Sequence, residues 1–332
     1  MTTTTVAPGT LSTAQAINRA LHDALAEDPS VLVLGEDVGP LGGVFRVTDG
    51  LTAAFGEDRC FDTPLAEAGI AGFAVGLAMN GMRPVIEMQF DAFAYPAFEQ
   101  VVSHIAKMRN RTRGRVELPL VMRVPYAGGI GGVEHHCDSS EAYYAHTPGL
   151  HVVAPSTPGD AYALLREAIA SPDPVVFLEP KKLYWTKGEV GGEQVPGIGT
   201  AVVRRAGTDA TLIAYGPSVP VALAAAEAAA RDGRSLQVVD LRSLVPYDDA
   251  TVCAAVESTG RAVVVAEAAG FAGFAAEVAA RVSERCFHSL AAPVRRVTGL
   301  DIPFPPPRLE HLQLPSVDRV LDAVDDLQWE DA

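Results

Sequence analysis

The sequence predicts an α/β fold: a parallel sheet covered by helices, followed by a second, smaller α/β domain. Three observations predict it. Short apolar runs alternate with helix-patterned segments along the first half, as in strands joined by crossover helices. A Gly-rich polar stretch, "TKGEVGGEQVPGIGT" at 186–200, interrupts that alternation before it resumes. The 332 residues exceed what one ordinary core accommodates, at roughly 100–200 residues per domain.

Taken in order, "MTTTTVAPGT" (1–10) has neither a basic nor an apolar leader region, and it reads as a disordered tail. Residues 12–27 place Ala16, Ala20, Leu21, Ala24 and Leu25 at helical spacing, with Ser12 or Thr13 as N-cap. "VLVLGED" is a buried strand ending in acids. "DTPLAEAGIAGFAVGLAMNG" turns at Pro64 into a helix of small residues, and "RPVIEMQF" is the next strand. "YPAFEQVVSHIAKMRNRT" reads as one helix, "LPLVMRVPY" as a strand, and "GLHVVAPST" and "DPVVFLEPK" as strands around the helix "PGDAYALLREAIA". The first domain therefore spans 11–188, a linker 189–200, and the second domain 201–332. The latter holds "ATLIAYG", an Ala-rich helix, "LQVVDLRSLVP", a helix from Asp248, "RAVVVAEA" and a helix from Gly273. The proline-rich "DIPFPPPRLEHLQLP" near its end reads as irregular.

Composition narrows the function. Hydrophobic residues make up 48% and charged residues 20%, which is globular. A net charge of −15 argues against a nucleic-acid surface and suits a basic partner domain. Cys60, Cys137, Cys253 and Cys286 form no CxxC pair and read as reduced thiols of a cytoplasmic bacterial protein. The absence of a run of ~18 apolar residues predicts no membrane span.

Residues 128–141, "GGIGGVEHHCDSSE", lie beyond a strand's carboxyl end, where parallel sheets bind ligands. The stretch lacks the GKS or GKT of a P-loop and the GxGxxG spacing of a dinucleotide site. His135, His136, Cys137 and Asp138 are adjacent rather than in spaced pairs, which disfavours zinc. A histidine acting as acid, base or donor is left, against the plain alternative of a sharply turned loop. Glu67 lies in a segment that reads as buried. It is either a carboxylate kept for chemistry or a helix-N-terminal acid favoured by the macrodipole. Gly69, Gly72 and Gly76 permit close approach of another backbone, within the domain or from a second subunit. Glu36 ends a strand at the same expected edge, with a turn cap as its plain alternative. Phe90 and Phe93 alone read as core.

Together these segments resemble a known family. "VLVLGEDVGPLGGVFRVTDGL", "DRCFDTPLAEAGIAGFAVGLAMNGMRPVIEMQF", "YAHTPGLHVVAPSTP", "PDPVVFLEPKKLYW" and "VVDLRSLVPYD" are similar to the beta subunit of the thiamine-diphosphate-dependent decarboxylase component of 2-oxo acid dehydrogenase complexes, from about residue 11 to 325. "VEHHCDSSE" and "MQFD" resemble the branched-chain members of actinomycete-type bacteria most. The resemblance implies a pyrimidine-binding α/β domain followed by a transketolase C-terminal-like domain. It implies that Glu67 hydrogen-bonds N1′ of the cofactor's aminopyrimidine, that Phe93 packs on that ring, and that Leu65, Gln89 and Glu36 are its neighbours. His136 matches the active-site histidine, and Cys137 stands where most members carry serine. Some members hold a potassium ion; the matching positions are Leu120, Ala168, Ile169, Ser171 and Asp173, with Ser171 in place of the usual aspartate.

The family's diphosphate and magnesium motif, GDG…N, is missing: "TDG" occurs at 48–50 without a matching asparagine pattern. The resemblance thus implies an alpha subunit that supplies magnesium and the diphosphate site in an α2β2 heterotetramer, inactive without it. It further implies oxidative decarboxylation of a 2-oxo acid such as 3-methyl-2-oxobutanoate and reductive acylation of the lipoyl group of a partner acyltransferase. Pyruvate and acetoin enzymes share nearly all these motifs. A transketolase-like enzyme would carry the diphosphate domain in the same chain. A non-catalytic scaffold docking the acyltransferase core would have no use for Glu67 and His136.

Overall fold

The computed structural model describes residues 9–191, 195–327 and 329. The chain opens with β1 (Gly9–Ser12) and the helix Thr13–Glu27. That helix starts at a capping box: the Ser12 hydroxyl accepts the Gln15 N–H, and the Gln15 side chain accepts the Ser12 N–H. Its apolar stripe, Ala16, Ala20, Leu21, Ala24 and Leu25, is buried.

A first sheet collects β2 (Val31–Gly35), β3 (Cys60–Asp62), β4 (Arg83–Glu87), β5 (Val121–Tyr126), β6 (His151–Val153) and β7 (Val175–Pro180), all parallel. The helices Glu67–Met79 and Pro158–Ala170 belong to this half. β8 (Lys187–Val190) closes it by pairing antiparallel with β1, Gly9 opposite Val190 and Ser12 opposite Lys187. Gly9 and Thr10, expected in a tail, are therefore strand, and the first two residues of the expected linker, Glu189 and Val190, are strand too. These are two four-residue segments of mixed polarity that pair with each other from opposite ends of the domain, so neither carries a local signal. Residues 1–8 of the expected tail and 192–194 of the expected linker lie outside the described residues.

The second sheet holds β9 (Val202–Arg205), β10 (Ala210–Ala214), β11 (Leu236–Asp240), β13 (Ala262–Ala269) and β14 (Arg295–Gly299), in the order β14-β13-β10-β11-β9 with only β9 antiparallel. Between them, β12 (Ser243–Val245) crosses over. It pairs antiparallel with β6 and completes the first sheet as β12-β6-β7-β5-β4-β2-β3. The second half of the chain thus lends a strand to the first. Arg242, fully buried, seals the junction by donating to Asp160 Oδ1 at 2.8 Å and to the Thr200 and Pro196 carbonyls.

One expected element differs. "YPAFEQVVSHIAKMRNRT" is not one α-helix: a 3₁₀ segment Ala92–Ala97 containing Pro96 leads through one α-turn into a π-helical segment Val101–Ile105, then Met108–Arg111. Proline supplies no N–H to the ladder, and the extra residue of the π-turn takes up the resulting change of phase.

The first sheet carries charge in its core. Arg123 donates to Glu179 Oε1 at 2.6 Å and Oε2 at 3.0 Å, and to Glu87 Oε2 at 2.6 Å, while Tyr184 donates to Glu179 Oε2 at 2.6 Å. All four side chains are buried. The network fixes β4, β5 and β7 in register below the carboxyl edge where the site is built.

Candidate functional site

The carboxyl ends of the parallel strands converge. Glu36 follows β2, Gln89 and Phe90 follow β4, the glycine loop follows β5, and Lys181 follows β7. Glu67 opens the helix Glu67–Met79 beside them.

Glu36 is buried, and its Oε1 has no hydrogen-bond partner. Burial, then the nearby charges of Glu67 and Asp37, raise its pKa above the usual carboxylate range. Glu67 is not buried as expected but half-exposed. The physical reason is the helix itself, which is apolar on nearly every face. Ile70, Ala71, Ala74, Val75 and Ala78 enter the core, while Leu65 just before it is 80% exposed and Phe73 is 53% exposed. Open space surrounds the position a Gly76 side chain would take. The uncovered side is an apolar surface of the kind that marks a partner's seat. Gln89 Nε2 donates to Asp37 Oδ2 at 2.9 Å, and Asp37 holds a positive φ of 59°.

His136 is brought to the aromatic residues. Its ring lies edge-on to Phe90 at 4.6 Å and to Phe93 at 5.2 Å between centroids, and Phe90 meets Phe93 at 5.3 Å. The two phenylalanines thus form a wall of the site as well as contributing to packing. His136 Nδ1 is buried without a partner, so a donor or acceptor on the imidazole stays uncommitted. His135, with φ 70°, is exposed while Cys137 is buried, so the four adjacent residues once weighed as metal ligands do not converge. Among the described residues no three His, Cys, Asp or Glu side chains form a metal-holding group. Burial pushes the Cys137 thiol up to about 11, which keeps it un-ionised.

The glycines of the loop mark close approach. A Cβ on Gly128 would lie 2.6 Å from the Phe304 ring, and Gly129 combines a φ of 85° with the Lys182 stem at its face.

Four groups escaped the sequence reading. Lys181 is 1% exposed, its Nζ has no hydrogen-bond partner, and it sits 6.0 Å from the Phe90 centroid. Burial lowers its pKa to about 8 against the pull of Asp91, Cys137 and Glu267. Asp91 accepts the N–H of Ser140 at 2.8 Å and its hydroxyl, and burial pushes Asp91 up to about 6. Glu267 and Glu310, from the second domain, accept amides of the glycine loop. A lysine and an aspartate just beyond strand ends were a readable signal; the two glutamates gave none.

The residues matched to potassium do not fit that ion. The carbonyls of Leu120 and Ala168 accept the N–H groups of Val175 and Ser171. Those of Ile169 and Ser171 accept Arg83 Nη1 at 2.9 and 3.2 Å, and Asp173 pairs with Arg109 at 2.7 Å. The Arg83 guanidinium already supplies the positive charge that the Ile169 and Ser171 carbonyls face.

An aminopyrimidine, by contrast, suits a pair of coupled carboxylates with an uncommitted buried oxygen on the sheet edge that also carries an aromatic wall and an unpartnered imidazole nitrogen.

Residues 9–186 match the transketolase pyrimidine-binding domain, and residues 199–320 match the transketolase C-terminal domain. The chain is 57% identical over 312 residues to a pyruvate dehydrogenase E1 component subunit beta of Leifsonia xyli, covering 94% of this chain and 93% of that one. It is equally 57% identical, over 317 residues, to a 3-methyl-2-oxobutanoate dehydrogenase subunit beta of Mycobacterium tuberculosis, covering 95% and 91%. A solved chain of a split-gene transketolase, an inactive beta4 tetramer, superposes with a TM-score of 0.75 at 25% identity, covering 96% of this chain and 98% of that one. The chain belongs to the family of E1 beta subunits of 2-oxo acid dehydrogenases, built from a transketolase pyrimidine-binding domain and a transketolase C-terminal domain.

Proposed function

We propose that this chain supplies the pyrimidine half of a thiamine diphosphate site in a decarboxylating 2-oxo acid dehydrogenase of the bacterial cytoplasm, acting on branched-chain 2-oxo acids such as 3-methyl-2-oxobutanoate. The observation that carries it is the placement of two coupled carboxylates, Glu36 and Glu67, and of the His136–Phe93 wall at the carboxyl ends of the neighbouring strands β2, β4 and β5, with an apolar helix face uncovered.

Glu67 would hydrogen-bond N1′ of the aminopyrimidine, and Phe93 would pack against that ring. Leu65 and Gln89 border it, and Glu36 lies behind Glu67. In a site closed from water, the Glu67 contact strengthens, because fewer dipoles compete for it. Thiamine diphosphate supplies the electron sink for the bond to the departing carboxylate. His136, whose Nδ1 is uncommitted, would deliver a proton to a lipoyl sulfur during reductive acylation.

An alpha subunit covers the exposed side of Glu67–Met79 in an α2β2 heterotetramer, completing the burial of Glu67 and bringing magnesium and the diphosphate contacts. A lipoylated acyltransferase is the second partner. Pyruvate is the alternative substrate, since the pyruvate and 3-methyl-2-oxobutanoate relatives are equally similar, at 57% identity.

Co-expression with the alpha subunit, then thiamine-diphosphate-dependent decarboxylation of 3-methyl-2-oxobutanoate and pyruvate side by side, tests both levels. Preference for the branched acid supports the full reading. Preference for pyruvate overturns the substrate and keeps the mechanism. A stable complex that turns over neither overturns the decarboxylase reading for these acids.

A further inference from the structure

The proline-rich segment near the end of the chain is absorbed by nothing above, yet it lies against the histidine loop. Pro303, Pro305, Pro306 and Pro307 stiffen it. Asp301 accepts the Phe271 N–H at 2.8 Å, and Gln313 donates to the Leu300 carbonyl at 3.1 Å, so both ends are tied to the second domain. From this strut the Phe304 ring packs on Gly128. Glu310, opening the short helix Glu310–Gln313, accepts the Gly129 N–H at Oε1 (2.5 Å) and the Gly131 N–H at Oε2 (3.1 Å). Glu267 accepts the neighbouring Gly128 N–H. At the loop's other end, Asp91 of the first domain holds Ser140.

We propose that Glu310 is a positioning residue for His136: by binding two glycine amides bidentately it fixes the loop from the second domain, so that the imidazole stays against Phe90 and Phe93. Three loop amides, those of Gly128, Gly129 and Gly131, donate to carboxylate side chains of the second domain. A loop with glycines at Gly128, Gly129, Gly131 and Gly132 has many alternative conformations to lose, so an external clamp is what holds one of them. The inference rests on the role proposed for His136, but the clamp itself is measurable without activity.

The test compares wild type, Glu310→Gln and Glu310→Ala by amide hydrogen exchange of the purified chain. Turnover of the alpha–beta complex is then measured with a lipoyl domain and, separately, with an artificial electron acceptor. Glu310→Ala is expected to speed exchange across residues 128–136 by about 10-fold or more. It is expected to slow lipoyl acylation about 10-fold while acceptor-linked decarboxylation stays within about twofold. Glu310→Gln, which keeps one acceptor oxygen, falls between. Unchanged exchange overturns the proposal, as does an equal fall in both turnovers with a lower melting temperature. If the wild-type complex decarboxylates no 2-oxo acid, the function proposed above falls, while the exchange comparison still decides whether Glu310 holds the loop.

Discussion

Glu36 and Glu67 are neighbours at the carboxyl edge of the first sheet, close enough that the Glu67 charge adds to burial in raising the pKa of Glu36. With its folded pKa above the unfolded one, Glu36 favours the fold most when protonated. That contribution is present at acid pH and lost as pH rises through the raised value. Glu36→Gln should therefore melt above wild type at pH 7, and the difference should vanish in acid. Thermal scans across pH check this; a lower melting temperature at neutral pH contradicts it. Glu67→Gln in the alpha–beta complex should lower turnover on the order of 100-fold without disrupting assembly.

A second acid couples the domains. Glu141 is fully buried, accepts the Tyr215 hydroxyl at 2.8 Å, and is pushed by burial from 4.5 to about 7. A raised folded pKa means stability lost as pH climbs from about 4.5 through about 7, at most ~3 kcal/mol for this group. Denaturant unfolding at pH 5 and pH 8 should show Glu141→Gln, which retains an acceptor for Tyr215, losing less stability than wild type between the two. Equal slopes would place the titration elsewhere.

Arg123→Met should be among the most damaging single changes in the first domain. It leaves Glu87 and Glu179 buried without their cation, a loss of about 3–5 kcal/mol. Replacing all three by apolar residues of similar volume should recover much of that loss. Equilibrium unfolding of the single and triple variants decides it, and a triple variant no better than the single one would contradict the account.

Cys137 follows the histidine, but its buried and un-ionised thiol marks it as packing: its sulfur lies where a Gly132 side chain would be. Cys137→Ser should keep turnover within about twofold, and iodoacetamide should label native Cys137 far more slowly than the half-buried Cys253. Rapid inactivation traced to Cys137 would reverse that assignment.

The legible parts of this molecule are those whose signals are local. Glu36, the glycine loop and the residues after "RPVIE" stand beyond strands that read as continuous apolar runs, so strand ends alone placed them on one edge. The Ser12 cap and the stripe of Thr13–Glu27 were equally readable, because a few adjacent residues specify both. What escaped depends on distant partners. Gly128 meets Glu267 across 139 residues and Gly129 meets Glu310 across 181. β12 leaves the second half to pair with β6 because three apolar-flanked residues reach an open sheet edge, which no periodicity announces. Glu67 read as buried because its helix is apolar all round. The exposed side shows that such a pattern equally describes a helix awaiting a partner.

Under the proposed function, this chain carries only half of a catalytic site. The most direct measurement is thiamine-diphosphate-dependent decarboxylation by the purified chain alone and by the chain co-purified with an alpha subunit, at equal beta-subunit concentration. Turnover is expected to stay at background for the chain alone and to be robust for the complex, falling on the order of 100-fold with Glu67→Gln. Turnover by the chain alone would contradict it.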